Sequence, residues 1–366
     1  MKDNKCPTIS LCMIVKNEEE TIGRCLECVQ QFVDEIVIVD TGSTDKTKEI
    51  VQTFTDSLYE FEWINDFAAA RNFAFSNATK DYILWLDADD IIDEENQQKF
   101  IELKSSLTFD VDAVSMFYHL TFDTNGNPNF SLRRNRLVKR ERNFKWHGYV
   151  HEYLEVYGNI KQSDIGIKHK KEKTYTDRNL QLYKAAEAAG KTFSPRDTYY
   201  YANECADHGH VDKAIELYTK FLDDGFGWSE DNIQACGKLS DAYSAKKEVP
   251  KAIQSCINSF KYDTPRGEIC CRLGFIYLDL NLLDRAIFWY DVATRLEVPE
   301  NKSPFINYAC YTWLPNLQLC LCYSRLEKFH EAKKHNDLAA SYNPTNPSII
   351  HNQRYLEGVF KERGLN

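Results

Sequence analysis

The chain has 366 residues, 43% of them hydrophobic, with 45 basic against 55 acidic side chains and a formal net charge of −10. That length holds two or three domains with a sizeable core, and the acidic balance argues against nucleic acid or an anionic membrane as the default partner. The 12 cysteines lie largely in apolar stretches, so they read as buried thiols of a reducing, cytoplasmic setting, not as a disulfide framework.

The N-terminal MKDNKCPTIS lacks the long apolar run of a signal peptide. The first apolar run, ISLCMIV at 9–15, is too short to span a bilayer, so no membrane attachment is expected. That run reads as a buried strand. Residues 18–32 follow as a helix with Ile22, Leu26 and Val29 on one face. The CLEC within it is an isolated pair of cysteines with no second pair or nearby histidine, a weak zinc signal. EIVIVD (35–40) is a second buried strand and 44–54 a second helix. DFAAARNFAFSNA (66–78) is a third helix, with Asp66 placed to cap its N-terminus. DYILWL (81–86) is a third strand, running directly into three aspartates in DADD.

This alternation implies a mostly parallel sheet covered on both faces. Ligands of such sheets bind outside the carboxyl ends of the strands. Three polar clusters fall there: KNEE after the first strand, DTGSTD after the second and DADD after the third. One acidic turn is commonly just the first turn of a helix. Three clusters in order point to a site, and carboxylates are the ligands that hard divalent cations prefer. Arg71 lies close to the apolar side of its helix, where an arginine is costly unless an anion pairs with it. That anion is either a bound diphosphate, Asp89, or a structural carboxylate.

RRNRLVKRER (133–142) is a basic run that reads either as a solvated face or as a phosphate contact. KWHGYVHEYLE (145–155) is not HExxH, and its Gly, Tyr and Val favour loop or strand, so a zinc-protease site is excluded. Residues 160–176, with KHKKEK, read as a polar connection, placing the domain boundary at 165/166. From about residue 177 the chain is helical and repeats at 34 to 46 residues. The same plan recurs at 201–222, 239–260, 273–294 and 319–340, with Ala214, Ala252, Ala286 and Ala332 as the shared small residue. Each unit reads as a helical hairpin that buries its apolar face by stacking on its neighbours.

SLCMIVKNEE, VDTGSTDKT, the helix with ARN and LDADD together resemble family 2 glycosyltransferases of the GT-A fold, and the second half resembles tetratricopeptide repeats. The expected architecture is an α/β, Rossmann-like GT-A domain at 1–165 followed by an all-α repeat domain at 166–366. The resemblance implies a UDP-sugar donor and Mn²⁺ or Mg²⁺. It implies that Asp89 and His151 hold the metal and that Asp87 contacts the nucleotide or sugar. Asp40 would accept a hydrogen bond from uracil, with Val15, Glu18, Ser43 and Arg71 lining the donor site. Arg136 or Lys139 would approach the diphosphate, and Glu152 or Asp90 would be the base of an inverting transfer.

Fused repeats imply a peptide or protein acceptor, and also a homodimer through the repeats. The layout is similar to peptide S-glycosyltransferases of the sublancin type, which modify a cysteine, and to enzymes that O-glycosylate flagellin. Thiols ionise near pH 8.5, so a cysteine acceptor needs little help from a base, whereas a serine hydroxyl needs much. A reading of another class is a non-catalytic repeat scaffold whose first half only binds a nucleotide.

Overall fold

In the computed structural model, which describes residues 6–122, 128–170, 177–299 and 306–365, strand β1 (Ile9–Val15) sends alternate side chains into two cores. Ile9, Leu11, Met13 and Val15 join a large cluster with Ile22, Leu26 and Val29 of helix α1 (Ile22–Val29). Cys12 faces the opposite layer, with Ala74 and Ala78. A strand apolar on both faces belongs in the centre of a covered sheet.

Contacts divide the chain into two units, Met1–Thr192 and Phe193–Asn366. In the first, β2 (Glu35–Asp40), α2 (Thr47–Gln52), β3 (Leu58–Glu60), α3 (Phe67–Ser76) and β4 (Tyr82–Trp85) follow α1. Next come β5 (Asp90–Ile91), α4 (Glu94–Ser106), β6 (Ala113–Phe122) and β7 (Pro128–Lys139). A short ribbon of β8 (Trp146–His147) and β9 (Tyr153–Leu154), then β10 (Ile160–His169) and α5 (Arg178–Ala188) complete the unit. The main sheet has the order β3-β2-β1-β4-β7-β6-β10-β5. Its first four strands are parallel; β7 runs antiparallel to β4 and β6, β10 parallel to β6, and β5 antiparallel to β10.

Two expectations are corrected here. Helix α1 starts at Ile22 instead of residue 18, because residues 18–21 form a turn in which the Thr21 and Ile22 amides bond the Glu18 carbonyl. The 165/166 boundary cuts through β10, whose Ile165 and Ile167 are buried in the sheet core, so the division falls later, at Thr192/Phe193. Residues 171–176, which include the rest of the KHKKEK run, lie outside the described residues. The Asp66 cap is present, with its side chain accepting from the Ala69 amide at 2.9 Å.

The second unit is helical: α6 (Pro195–Asp207), α7 (Val211–Asp224), α8 (Ser229–Ala245), α9 (Val249–Asn258), α10 (Gly267–Asp279), α11 (Leu283–Thr294), α12 (Trp313–Arg325), α13 (Phe329–Tyr342) and α14 (Pro347–Arg363). The first eight pair as four hairpins. The repeated Ala214, Ala252, Ala286 and Ala332 are all fully buried, since only a small side chain lets the paired helices approach. Five residues before each alanine stands a left-handed residue: Gly209, Lys247, Asn281 and Glu327. At each of these turns the next amide reaches back to a carbonyl five residues earlier, at 2.8–2.9 Å, closing the first helix of the hairpin in a Schellman turn. The α/β sheet unit and the tetratricopeptide-like hairpins are thus both present.

Candidate active site

The parallel strands β1, β2 and β4 end on one side of the sheet, and their following loops are tied together. The Asn17 amide donates to Ser43 Oγ at 3.0 Å, and the Glu18 amide to Thr47 Oγ1 at 2.7 Å. In return, Asn17 Oδ1 accepts from the Thr44 amide and Glu19 from the Lys46 amide. The Val15 carbonyl accepts from both the amide and hydroxyl of Thr41 at 3.0 Å. Asp40 is buried; its Oδ2 accepts from the Gly42 and Ser43 amides, while Oδ1 is buried with no partner among the described residues. Gly42 sits at a φ of +99°, which a side-chain-bearing residue rarely adopts.

The third loop, Asp87 to Asp90, closes on itself: the Asp90 amide bonds the Asp87 carbonyl, and the Asp87 amide bonds Asp90 Oδ2, each at 3.0 Å. A cleft of about 670 Å³ opens above these loops. It is lined by Val15, Lys16, Asn17, Glu18 and Thr41, by Arg71, Asp87 and Asp89, and by Glu152, His169 and Arg178.

Arg71 is nearly buried and bridges two carboxylates. Its NH2 donates to Asp87 Oδ1 at 2.6 Å and its Nε to Glu152 Oε1 at 2.7 Å. The guanidinium also lies 5.3 Å and 4.8 Å from the rings of Trp85 and Trp146. Burial raises the Asp87 pKa, but Arg71 and then Arg136 outweigh it and hold the carboxyl below its usual range. Of the alternatives for the Arg71 partner, the structure supplies two protein carboxylates, neither of them Asp89.

His169 ends β10 opposite Asp90 of β5. Its Nδ1 lies 3.3 Å from Asp89 Oδ1 and 3.4 Å from Asp90 Oδ1, yet among the described residues it makes no aligned hydrogen bond. Burial depresses the imidazole pKa, but the Asp89 and Asp90 carboxylates outweigh it and bring it up to about 10. One ligand atom from each of Asp89, Asp90 and His169 falls within 4.8 Å of the others. A buried ring nitrogen without an aligned partner, beside two carboxylates, is a donor set that fits a hard divalent cation.

Several sequence expectations need correction. His151 is not in this cluster; its ring stacks on Tyr183 of α5 at 6.4 Å, and His169 stands beside Asp89 in its place. Arg136 does not line the cleft: it is fully buried, between the rings of Trp85 at 3.9 Å and Tyr118 at 4.3 Å, with its NH2 3.1 Å from Asp90. Lys139 pairs in register with Tyr82, at the start of β4 and so away from the aspartates, and its Nζ donates to the Phe109 carbonyl. Asp90 is fully buried and cannot reach a solvent-borne acceptor. Glu152 does line the cleft, engaged by Arg71. Sequence reasoning missed His169, although the alternation of buried Ile165 and Ile167 in SDIGIKH carries the period-two signal of a strand ending on it.

The carboxylates converge where the parallel strands of the sheet end, the place where open α/β sheets bind their ligands. The glycosyl transferase family 2 model matches residues 10–154. The chain is 37% identical over 147 residues to the TPR repeat-containing protein Synpcc7942_0270 of Synechococcus elongatus, covering 40% of this chain and 35% of that one. It is 30% identical over 249 residues to the SPbeta prophage-derived glycosyltransferase SunS of Bacillus subtilis, covering 59% and 55%. Among solved structures, the thermophilic TPR protein TTC0263 of Thermus thermophilus is 17% identical, with a TM-score of 0.36 over 49% of this chain and 89% of that one. The chain spans about a third to just over half the length of the two curated relatives. Residues 10–154 of its N-terminal unit thus match the glycosyl transferase family 2 model, and helical hairpins follow in the second unit. Among the described residues, no helix is long and apolar enough to cross a membrane.

Proposed function

We propose that this protein transfers a sugar, with inversion, from a UDP-sugar to a side chain of a peptide or protein, and that the preferred acceptor is a cysteine thiol. The observation that carries the donor half is the convergence of Asp87, Asp89 and His169 on one cleft at the strand ends. Asp40 does not itself line the cleft but directly precedes Thr41, which does, and in this reading its Oδ1 would accept the uracil N–H. Asp89 and His169 would hold Mn²⁺ or Mg²⁺, which supplies charge neutralisation for the diphosphate as it leaves. Arg71 fixes Asp87 toward the nucleotide and excludes water from beneath it by packing against Trp85 and Trp146.

The acceptor sulfur attacks the anomeric carbon opposite the diphosphate. The C–S bond forms as the C–O bond to phosphate breaks, and the thiol proton has gone to solvent beforehand. What supports a thiol is the state of the two carboxylates first considered as bases. Glu152 is paired with Arg71 at 2.7 Å and Asp90 with Arg136 at 3.1 Å. A hydroxyl acceptor needs a free base, whereas a thiol is already partly ionised near neutral pH.

The test begins with calorimetric titration of UDP, with and without Mn²⁺, on the wild type and Asp89→Ala. Metal-dependent binding that the variant loses is the expected result; absence of UDP binding under both conditions overturns the donor assignment and favours the scaffold reading. Matched Cys and Ser peptides, incubated with UDP-sugars and weighed intact, then read the acceptor. A mass gain on the Ser peptide alone overturns the thiol preference.

A further inference from the structure

Arg136, Asp90 and Tyr118 form a buried polar cluster adjoining Asp87 and Asp89 of the cleft, in which Arg136 Nε and NH2 make no aligned hydrogen bond among the described residues. Arg136 and Asp90 are both 0% exposed, with the guanidinium NH2 3.1 Å from Asp90 Oδ2. The Tyr118 hydroxyl donates to Asp90 Oδ1 at 3.0 Å, and the Asp87 amide to Oδ2 at 3.0 Å. The Arg136 NH1 donates to the Trp85 carbonyl at 3.3 Å, and the flanking Trp85 and Tyr118 rings cover both faces of the guanidinium.

A fully buried ion pair is poor at stabilising a fold, because desolvating two charges offsets most of their attraction, and apolar residues of like volume do as well or better. What this pair does locally is fix one carboxylate. Both Asp90 oxygens carry a donor, so its plane cannot turn, and Oδ1 is held 3.4 Å from His169 Nδ1. The Tyr118 and His169 rings lie 5.4 Å apart, and the β5–β10 register sets His169 across from Asp90. The imidazole is thereby constrained on the side facing Asp89.

We infer that Arg136 and Tyr118 are positioning residues that act through Asp90 to set His169 against Asp89 for a divalent cation. The inference rests on the metal reading of the proposed function. Outer-shell groups of this kind typically change metal affinity about 10- to 100-fold when removed.

The experiment titrates Mn²⁺ into the full chain, alone and again with UDP, and follows the free ion by electron paramagnetic resonance. Wild type, Tyr118→Phe, Arg136→Lys and Asp89→Ala are compared, with thermal unfolding of each. Tyr118→Phe removes one oxygen and keeps the ring, so it reads the cluster even where Arg136→Lys fails to fold. The expected result is Mn²⁺ binding by the wild type, loss in Asp89→Ala, and binding weakened roughly tenfold or more in Tyr118→Phe with its unfolding temperature little changed. Wild-type binding with undiminished affinity in Tyr118→Phe overturns the positioning role and leaves the metal reading standing. No wild-type binding in either condition overturns the metal reading, and the positioning role with it.

Discussion

In the N-terminal unit, Arg71, Asp87, Asp90 and Arg136 are held by contacts within one small region at the strand ends. In the helical unit, Gly209, Lys247, Asn281 and Glu327 perform one task at four separate turns. The first arrangement concentrates dependence: the side chains share partners within one cluster, and losing one leaves a buried charge behind. The second spreads it, because each hairpin turn closes on its own backbone and its failure is felt mainly by its neighbours. The helical unit also has a buried pair, Arg266 with Glu230 at 2.6 Å, which Asp263 joins at 3.0 Å.

The contrast is broken most directly at Arg71. Arg71→Met leaves Asp87 and Glu152 without their cation, and removing one member of a buried pair costs about 3–5 kcal/mol. We expect a large drop in unfolding temperature together with at least about a hundredfold loss of sugar transfer, since displacing reacting groups by an ångström has effects of that order. A variant that keeps both its melting temperature and its UDP affinity would falsify the concentrated picture.

The matching perturbation in the repeats is Gly274→Ala. A Cβ at Gly274 would lie 2.7–2.8 Å from the Tyr290 ring, which is fully buried and cannot move aside. Overpacking of this kind costs about 1–3 kcal/mol. Denaturant unfolding should report that loss, while calorimetry should find UDP binding unchanged. Weakened UDP binding would mean that the two units do not divide the labour as described.

How far this division is readable from the sequence depends on range. The apolar runs at β1, β2 and β4 and the spacing of the four alanines are local signals, and the elements form where those signals lie. Asp40, Asp87 and Asp89 follow directly from strands and are legible for that reason. His169 is not, because it reaches Asp89 through the pairing of β10 with a strand of only two residues, a contact across some 80 positions of sequence. Arg136 looks like part of a basic surface run, and only the antiparallel placement of β7 beside β4 puts its neighbour Leu137 opposite Leu84 and so carries Arg136 into the core. Charge alone says nothing about which strand covers it.

Acidity sharpens the comparison further. The folded-state pKa of Asp87 is lowered from 3.8, so its contribution is complete above about pH 4 and is lost as pH falls through the folded value. The His169 shift has the opposite sign in the metal-free protein: its contribution is complete below 6.5 and is lost as pH rises through about 10. Stability against pH should therefore fall at both ends, by about 1–2 kcal/mol on the acid side. Asp87→Asn should make the acid limb shallower and His169→Asn the alkaline limb, each leaving the other limb as it was. A wild-type profile unaltered by either change would remove both groups from the account.

The smallest effects belong to the hairpin turns, and there the sign differs by residue. Lys247, Asn281 and Glu327 adopt φ of 55–61°, where a side chain is disfavoured by roughly 1 kcal/mol. Glycine removes that strain but gains freedom in the unfolded chain, which offsets about half of the benefit or more. Lys247→Gly and Glu327→Gly should thus raise stability by about 0.5 kcal/mol, and Asn281→Gly by less, since asparagine tolerates the left-handed region. Gly209→Ala should go the other way by about 1 kcal/mol. No atom lies within 4 Å of a Cβ built there, so any loss comes from the backbone alone. Urea denaturation of the four variants measures this ordering. If the hairpins are equivalent, Lys247→Gly and Glu327→Gly agree with each other; a difference of more than about 1 kcal/mol between them would show that one turn carries a contact the others lack.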